Sequence, residues 1–145
     1  MTARDYMSTI VQTVSPRNTL KDVAQLLFEH DCGMVPVVEK GEVKGVLTDR
    51  DVAIIACNHD RPLSDLNVAD VLKKQVYSCG PDASLAEVLE IMSSKHVRRL
   101  TVLEDGALAG VVSLDDLTRA VGAGKIKAQA FVDTVAAVAK VTQTA

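Results

Sequence analysis

Aromatic side chains are nearly missing from this 145-residue sequence, which has no Trp, two Phe (Phe28, Phe131) and two Tyr (Tyr6, Tyr77). The core must therefore come from Val, Leu, Ile, Ala and Met, and no stacking platform for single-stranded nucleic acid exists. Positive charge is also short. With 16 Lys and Arg against 19 Asp and Glu, the net charge is −3, without the basic excess that binding to phosphate backbones draws on. Nucleic acid is not an expected partner. Long apolar runs are lacking too: stretches such as Val52 to Cys57 fall far short of the roughly 20 residues of a membrane-spanning helix, so no membrane partner is expected. The segment Met1 to Met7 has no signal-peptide profile. Three scattered cysteines, Cys32, Cys57 and Cys79, predict reduced thiols and a cytoplasmic location rather than a disulfide framework. What is present, 48% hydrophobic and 24% charged residues, is the composition of a globular protein.

The sequence repeats itself. An ungapped shift of 65 residues aligns Asp5 with Asp70, Val11 with Val76, Pro16 with Pro81, Val37 with Val102, Gly41 with Gly106, Gly45 with Gly110 and Asp51 with Asp116. Each repeat reads as strand, helix, strand, strand, helix. Ile10 to Val14 and Gln75 to Cys79 are short β-prone stretches ended by Ser15-Pro16 and Gly80-Pro81. Leu20, Val23, Ala24 and Leu27 follow helical spacing, as do Leu85, Val88, Leu89 and Met92. Both helices open with a capping box, Thr19-x-x-Asp22 and Ser84-x-x-Glu87. The runs Val35 to Glu39 and Val43 to Thr48 divide at Lys40-Gly41; Leu100 to Glu104 and Leu108 to Ser113 divide at Asp105-Gly106, a hairpin signal.

About 60 residues of this kind cover only part of a sheet, so two repeats packed face to face are expected to close one core. The fold expected is α/β, with repeat 1 and its connection over 1–65, repeat 2 over 66–121 and an amphipathic helix within 122–145. Asn58 to Asn67 reads as a polar connection. The tail helix, with Ile126, Phe131, Val135 and Val138, is expected to fray at Thr142 to Ala145 and to pack on its own repeat or on a second chain.

One constellation carries chemistry. Gly45-Val46-Leu47-Thr48-Asp49-Arg50-Asp51 recurs as Gly110-Val111-Val112-Ser113-Leu114-Asp115-Asp116. In both, a strand ends in a hydroxyl residue at a helix start, with Asp three positions on. That spacing is a capping box. A helix start also offers free N–H groups to a phosphate, and an Asp there suits vicinal ribose hydroxyls. The two roles do not exclude each other.

Residues 4 to 121 resemble a tandem pair of cystathionine-β-synthase (CBS) domains. The resemblance rests on Met7 with Val11-x-x-Val14-Ser-Pro16, on Cys32-Gly33-Met34-Val35-Pro36-Val37-Val38, on the Gly45 to Asp51 motif and on the second copies of all three. It implies two pseudo-two-fold-related repeats with two clefts between them, a regulatory rather than enzymatic role, and an adenosyl ligand: AMP, ADP or ATP first, NAD or S-adenosylmethionine after them, with no required cofactor and no metal. It places the phosphate-side hydroxyl at Thr48 and Ser113, the ribose carboxylate at Asp51 and Asp116, and adenine near Val14 and Pro36 or Cys79 and Thr101. It also implies homodimers and a regulated partner protein. The second copy departs from the pattern, with Thr101 for Pro and Asp115 where the first copy has Arg50. Arg98 and Arg99 are candidates to compensate at a phosphate.

The alternatives are a constitutive dimeric adaptor with vestigial clefts and, more weakly, a nucleotide hydrolase. His30, His59 and His96 are isolated and lack four-ligand metal spacing. Neither phosphate-loop glycine motif occurs, and no nucleophile elbow is visible. Two repeats and a tail use most of the 145 residues, so a standalone module is expected.

Overall fold

The computed structural model describes residues 1–144, with side chains described through Ala139. In order, the elements are α1 (Ala3–Tyr6), α2 (Leu20–Glu29), β1 (Met34–Glu39), β2 (Glu42–Thr48), α3 (Asp49–Asn58), a 3-10 turn (Leu63–Asp65), α4 (Val68–Val71), β3 (Ser78–Cys79), α5 (Leu85–Lys95), β4 (Arg99–Glu104), β5 (Ala107–Ser113), α6 (Leu114–Gly122) and α7 (Ala128–Thr144). The hairpin strands begin and end within one residue of their expected places, and α2, α3, α5 and α6 begin directly after the hydroxyl residues expected to cap them. The mixed α/β class and the two-repeat organisation hold.

The chain forms two compact units. The first is Val11–Val76; the second joins Met1–Ile10 to the chain from Tyr77 onward. The first ten residues, which the repeat places in its first copy, thus pack in the second unit. In it, the N–H groups of Ala3 and Arg4 donate to the carbonyls of Ala83 and Pro81, both at 2.9 Å. In the first unit, the repeat-equivalent N–H groups of Val68 and Ala69 donate to Asn18 and Pro16, at 2.8 and 3.0 Å. The expected polar connection is therefore partly structural: Leu66 is buried and Asn67 bridges Thr19.

Each unit has a hydrophobic cluster of its own. In the first unit, Leu20, Val23 and Leu27 of α2 meet Val35, Val37 and Leu47 of the hairpin, together with Leu66 and Val68. In the second, Val88, Leu89 and Met92 of α5 meet Leu100, Val102 and Val112, together with Ala3, Tyr6 and Ile126. The short helices α1 and α4 add to these clusters, through Ala3 and Tyr6 in one and Val68 in the other. The tail helix packs on α5 and α6 within its own unit and continues through Thr144 instead of fraying from Thr142; Ala145 lies outside the described residues.

Local chemistry explains the elements. Thr19 and Asp22 close their capping box at 3.2 and 2.9 Å, Ser84 and Glu87 theirs at 3.2 and 2.6 Å. The backbone N–H groups held by Asp22 and Glu87 pull both carboxyls below their ordinary range. Both hairpins turn through two residues of positive φ, Lys40 and Gly41 (51° and 79°) and Asp105 and Gly106 (52° and 82°), the geometry that suits twisted strands. The expected first strands shrink. Val14 makes a single parallel bridge to Val37, whereas β3 pairs over Ser78 and Cys79. Pro36 has no N–H to extend the first ladder; its counterpart Thr101 donates to the Tyr77 carbonyl at 3.2 Å.

Candidate functional site

The first unit assembles one copy of the motif. Val14 donates its N–H to the carbonyl of Pro36 at 3.1 Å and accepts from the N–H of Val38 at 2.8 Å, so the two expected base-side residues adjoin. Pro36 stands opposite Val46 in the hairpin, and Thr48 opposite Met34. Thr48 is thus two residues along the ladder, roughly 7 Å at strand spacing. Its hydroxyl accepts from the Asp51 N–H at 3.1 Å and donates to Asp51 Oδ2 at 2.9 Å, and the same oxygen accepts the Thr48 N–H at 2.9 Å. Arg50 lies exposed in the first turn of α3.

The second unit repeats this with changes. Cys79 pairs with Val102 beside the fully buried Thr101. Burial, then the charge of Glu87, pushes the Cys79 thiol above its ordinary range. Ser113 and Asp116 reproduce the cap, with distances of 2.8, 2.8 and 3.1 Å. Arg99, the first residue of β4, stands opposite Ser113. Arg98 is exposed one residue earlier, and its carbonyl accepts the Leu114 N–H at 2.9 Å. Of the two arginines, the ladder therefore sets Arg99 directly across from the capping hydroxyl.

Two contacts went unread in the sequence. Arg119 Nη2 donates to Asp116 Oδ1 at 2.8 Å, an i,i+3 carboxylate-arginine pair whose spacing is visible in the sequence. Thr101 Oγ1 donates to the Tyr77 carbonyl at 3.4 Å, a tertiary contact with no local signal. The hydroxyl and carboxylate of each copy cap a helix in the molecule as it stands, and the half-buried Asp51 and Asp116 keep acceptor capacity beyond the cap. Among the described residues, no group of three or more His, Cys, Asp or Glu side chains is placed to hold a metal ion. His59 is taken up by the carbonyl of Ile55 at 2.8 Å. No helix among the described residues is long and apolar enough to cross a membrane.

Comparison with known proteins finds relatives that span both repeats. The family model for the CBS domain matches residues 3–57 and 68–123. The chain is 38% identical over 114 residues to the CBS domain-containing protein YhcV of Bacillus subtilis, covering 79% of this chain and 81% of that protein. It is 32% identical over 119 residues to hypoxic response protein 1 of Mycobacterium tuberculosis, covering 81% and 83%. A crystal structure of Hypoxic Response Protein I, with two coordinated zinc ions, superposes with a TM-score of 0.74 over 82% of this chain and 98% of that one. The CBS domain pair of protein MJ0100, solved with 5′-methylthioadenosine and S-adenosyl-L-methionine, shares the fold at a TM-score of 0.75 and 22% identity, over 87% of this chain and 98% of that one.

Proposed function

The chain belongs to the CBS-domain family as a tandem pair, and from that premise we propose that it is a cytoplasmic regulatory module that binds an adenosyl ligand. AMP, ADP and ATP are the first candidates. The observation that carries the reading is the hydroxyl-carboxylate pair at a helix start, present in both units at matching distances. The carboxylate then accepts from ribose hydroxyls, the helix start and Thr48 or Ser113 face the phosphate side, and the backbone around Val14 and Pro36 or Cys79 and Thr101 flanks the base. The ligand complex of the MJ0100 pair supports the same class. A ligand acts on such a module only through different affinities for its states. The output is a change in self-association or in contact with a partner protein, and the readout is binding, without turnover.

Replacement of Asp51 by Asn tests the reading. Asn keeps size and some capping capacity but is a poorer acceptor from two hydroxyls. A ligand at 100 times its dissociation constant raises stability by about 2.7 kcal/mol. The expected result is a ligand-free melting point near wild type and loss of the part of the AMP-induced shift that the first copy supplies. If the wild-type chain shows no shift with any adenine nucleotide, NAD or S-adenosylmethionine at millimolar concentration, the sensing reading fails and the constitutive adaptor replaces it. Homodimers are part of the proposal, supported by exposed apolar residues on α3, where Ile54 is 44% exposed. Light scattering that returns the 15.5 kDa of one chain at micromolar concentration refutes that part.

A further inference from the structure

The two copies of the motif differ at both ends. At the ribose end, a carboxylate has about four lone-pair positions. In each copy Oδ2 already accepts a backbone N–H and a hydroxyl, which leaves Oδ1. On Asp116 that oxygen accepts from Arg119 at 2.8 Å. Among the described residues no partner engages Oδ1 of Asp51, and the repeat-equivalent of Arg119 is Ile54, which has no donor. A vicinal diol needs two acceptor positions: Asp51 keeps both on Oδ1, whereas Arg119 leaves Asp116 only one.

At the base end, the buried Thr101 directs both its N–H and its hydroxyl at the Tyr77 carbonyl, at 3.2 and 3.4 Å. That carbonyl is saturated. Its repeat-equivalent belongs to Gln12, and the residue matching Thr101 there is Pro36, which has no backbone or side-chain donor. The Gln12 carbonyl is therefore not capped by that neighbour and stays available to an amino group such as the exocyclic amine of adenine.

We propose that Arg119 and Thr101 disable the second copy, so that each chain takes one adenosyl ligand, at the copy formed by Thr48 and Asp51. The proposal rests on the adenosyl-ligand reading above and adds a stoichiometry and two residues that set it. Arg119 is 75% exposed at its side chain, so its substitution leaves the core intact.

Titration calorimetry on the full chain tests this, with AMP and with adenosine, the latter so that attraction between Arg119 and a phosphate does not enter. The wild type is expected to bind one molecule of either per chain. Arg119→Ile is expected to add a second, weaker binding event, and Thr101→Pro with Arg119→Ile to bring that event within tenfold of the first. The reciprocal surface change, Ile54→Arg, is expected to weaken the first event at least tenfold when compared with wild type at a concentration where light scattering gives both the same oligomeric state, since Ile54 also belongs to the apolar face of α3. Because Thr101 is buried, the two single surface variants decide the matter if the double variant does not fold. Two equal sites in the wild type overturn the proposal, as does a stoichiometry that Arg119→Ile leaves at one. Loss of adenosine binding on Arg119→Ile also overturns it, since Arg119 then holds the ligand instead of blocking it. These outcomes leave the adenosyl-ligand reading standing; absence of any binding by the wild type removes both.

Discussion

Gly110 lies against the carbonyl of Ser8, so close that a Cβ on the glycine would come within 2.7 Å of that oxygen. The same Cβ would sit 2.9 Å from the sulfur of Met7. Ser8 and the next residue, Val111, exchange both backbone hydrogen bonds, at 2.8 and 3.0 Å. The glycine thus lets the N-terminal segment dock on β5. Gly45 does the same for the segment after α4, where a Cβ would meet Leu72 at 2.7 Å and the Lys73 carbonyl at 2.9 Å.

Gly110→Ala and Gly45→Ala are therefore expected to destabilise the chain by about 1–3 kcal/mol each, the usual cost of forcing an atom into a packed contact. Gly80→Ala is the control, because nothing lies within 4 Å of a Cβ there, and a change within about 0.5 kcal/mol is expected. Urea unfolding of the three variants checks both statements; equal midpoints for Gly110→Ala and Gly80→Ala would remove the docking argument.

Tyr6 buries a hydroxyl that has no hydrogen-bond partner among the described residues. Burial first, and then the nearby Cys79 and Asp5, push this phenol from its ordinary 10 to about 12. The folded state thus holds the proton that the unfolded state releases first. The contribution to stability is intact below pH 10 and falls away as the pH rises from 10 towards about 12. Tyr6→Phe is expected to raise stability near neutrality by about 1 kcal/mol, by removing an unsatisfied buried group. It should also flatten the alkaline decline relative to wild type, which denaturant melts from pH 8 to pH 11.5 will read.

Thiol reactivity should follow burial. Cys57 is exposed at the end of α3, Cys32 is half-buried with its sulfur 3.8 Å from the Leu26 carbonyl, and Cys79 is buried with a raised thiol. Alkylation of the native chain by iodoacetamide, followed by mass spectrometry, is expected to modify Cys57 first and Cys79 last. Early modification of Cys79 would point to opening of the β3 edge.

Arg50 bears on phosphate preference within the proposed function. It is the exposed basic residue at the start of α3 where the second copy has Asp115. An exposed charge near a phosphate changes affinity by about 1 kcal/mol or less. Arg50→Asp is expected to lower the preference for ATP over adenosine by up to about fivefold, measured by calorimetry. An unchanged ratio would assign phosphate binding to the helix start alone.

The amino-acid sequence by itself determined the local elements and the two motif copies. Capping boxes at Thr19, Thr48, Ser84 and Ser113, and the positive-φ turns at Lys40-Gly41 and Asp105-Gly106, are set by residues within four positions of each other, so spacing alone reveals them. Tertiary structure alone decided which segment completes which unit. Ala3 and Val68 occupy equivalent places, yet Ala3 pairs with Ala83, 80 residues away. No periodicity encodes that choice, because α1 and α4 hold equivalent repeat positions and make equivalent backbone bonds. The inequality of the two motif copies arose at both levels. Its Arg119 half is written in the sequence, three residues from Asp116 where the first copy has Ile54, while its Thr101 half is tertiary, because only the folded chain brings Thr101 onto the carbonyl of Tyr77.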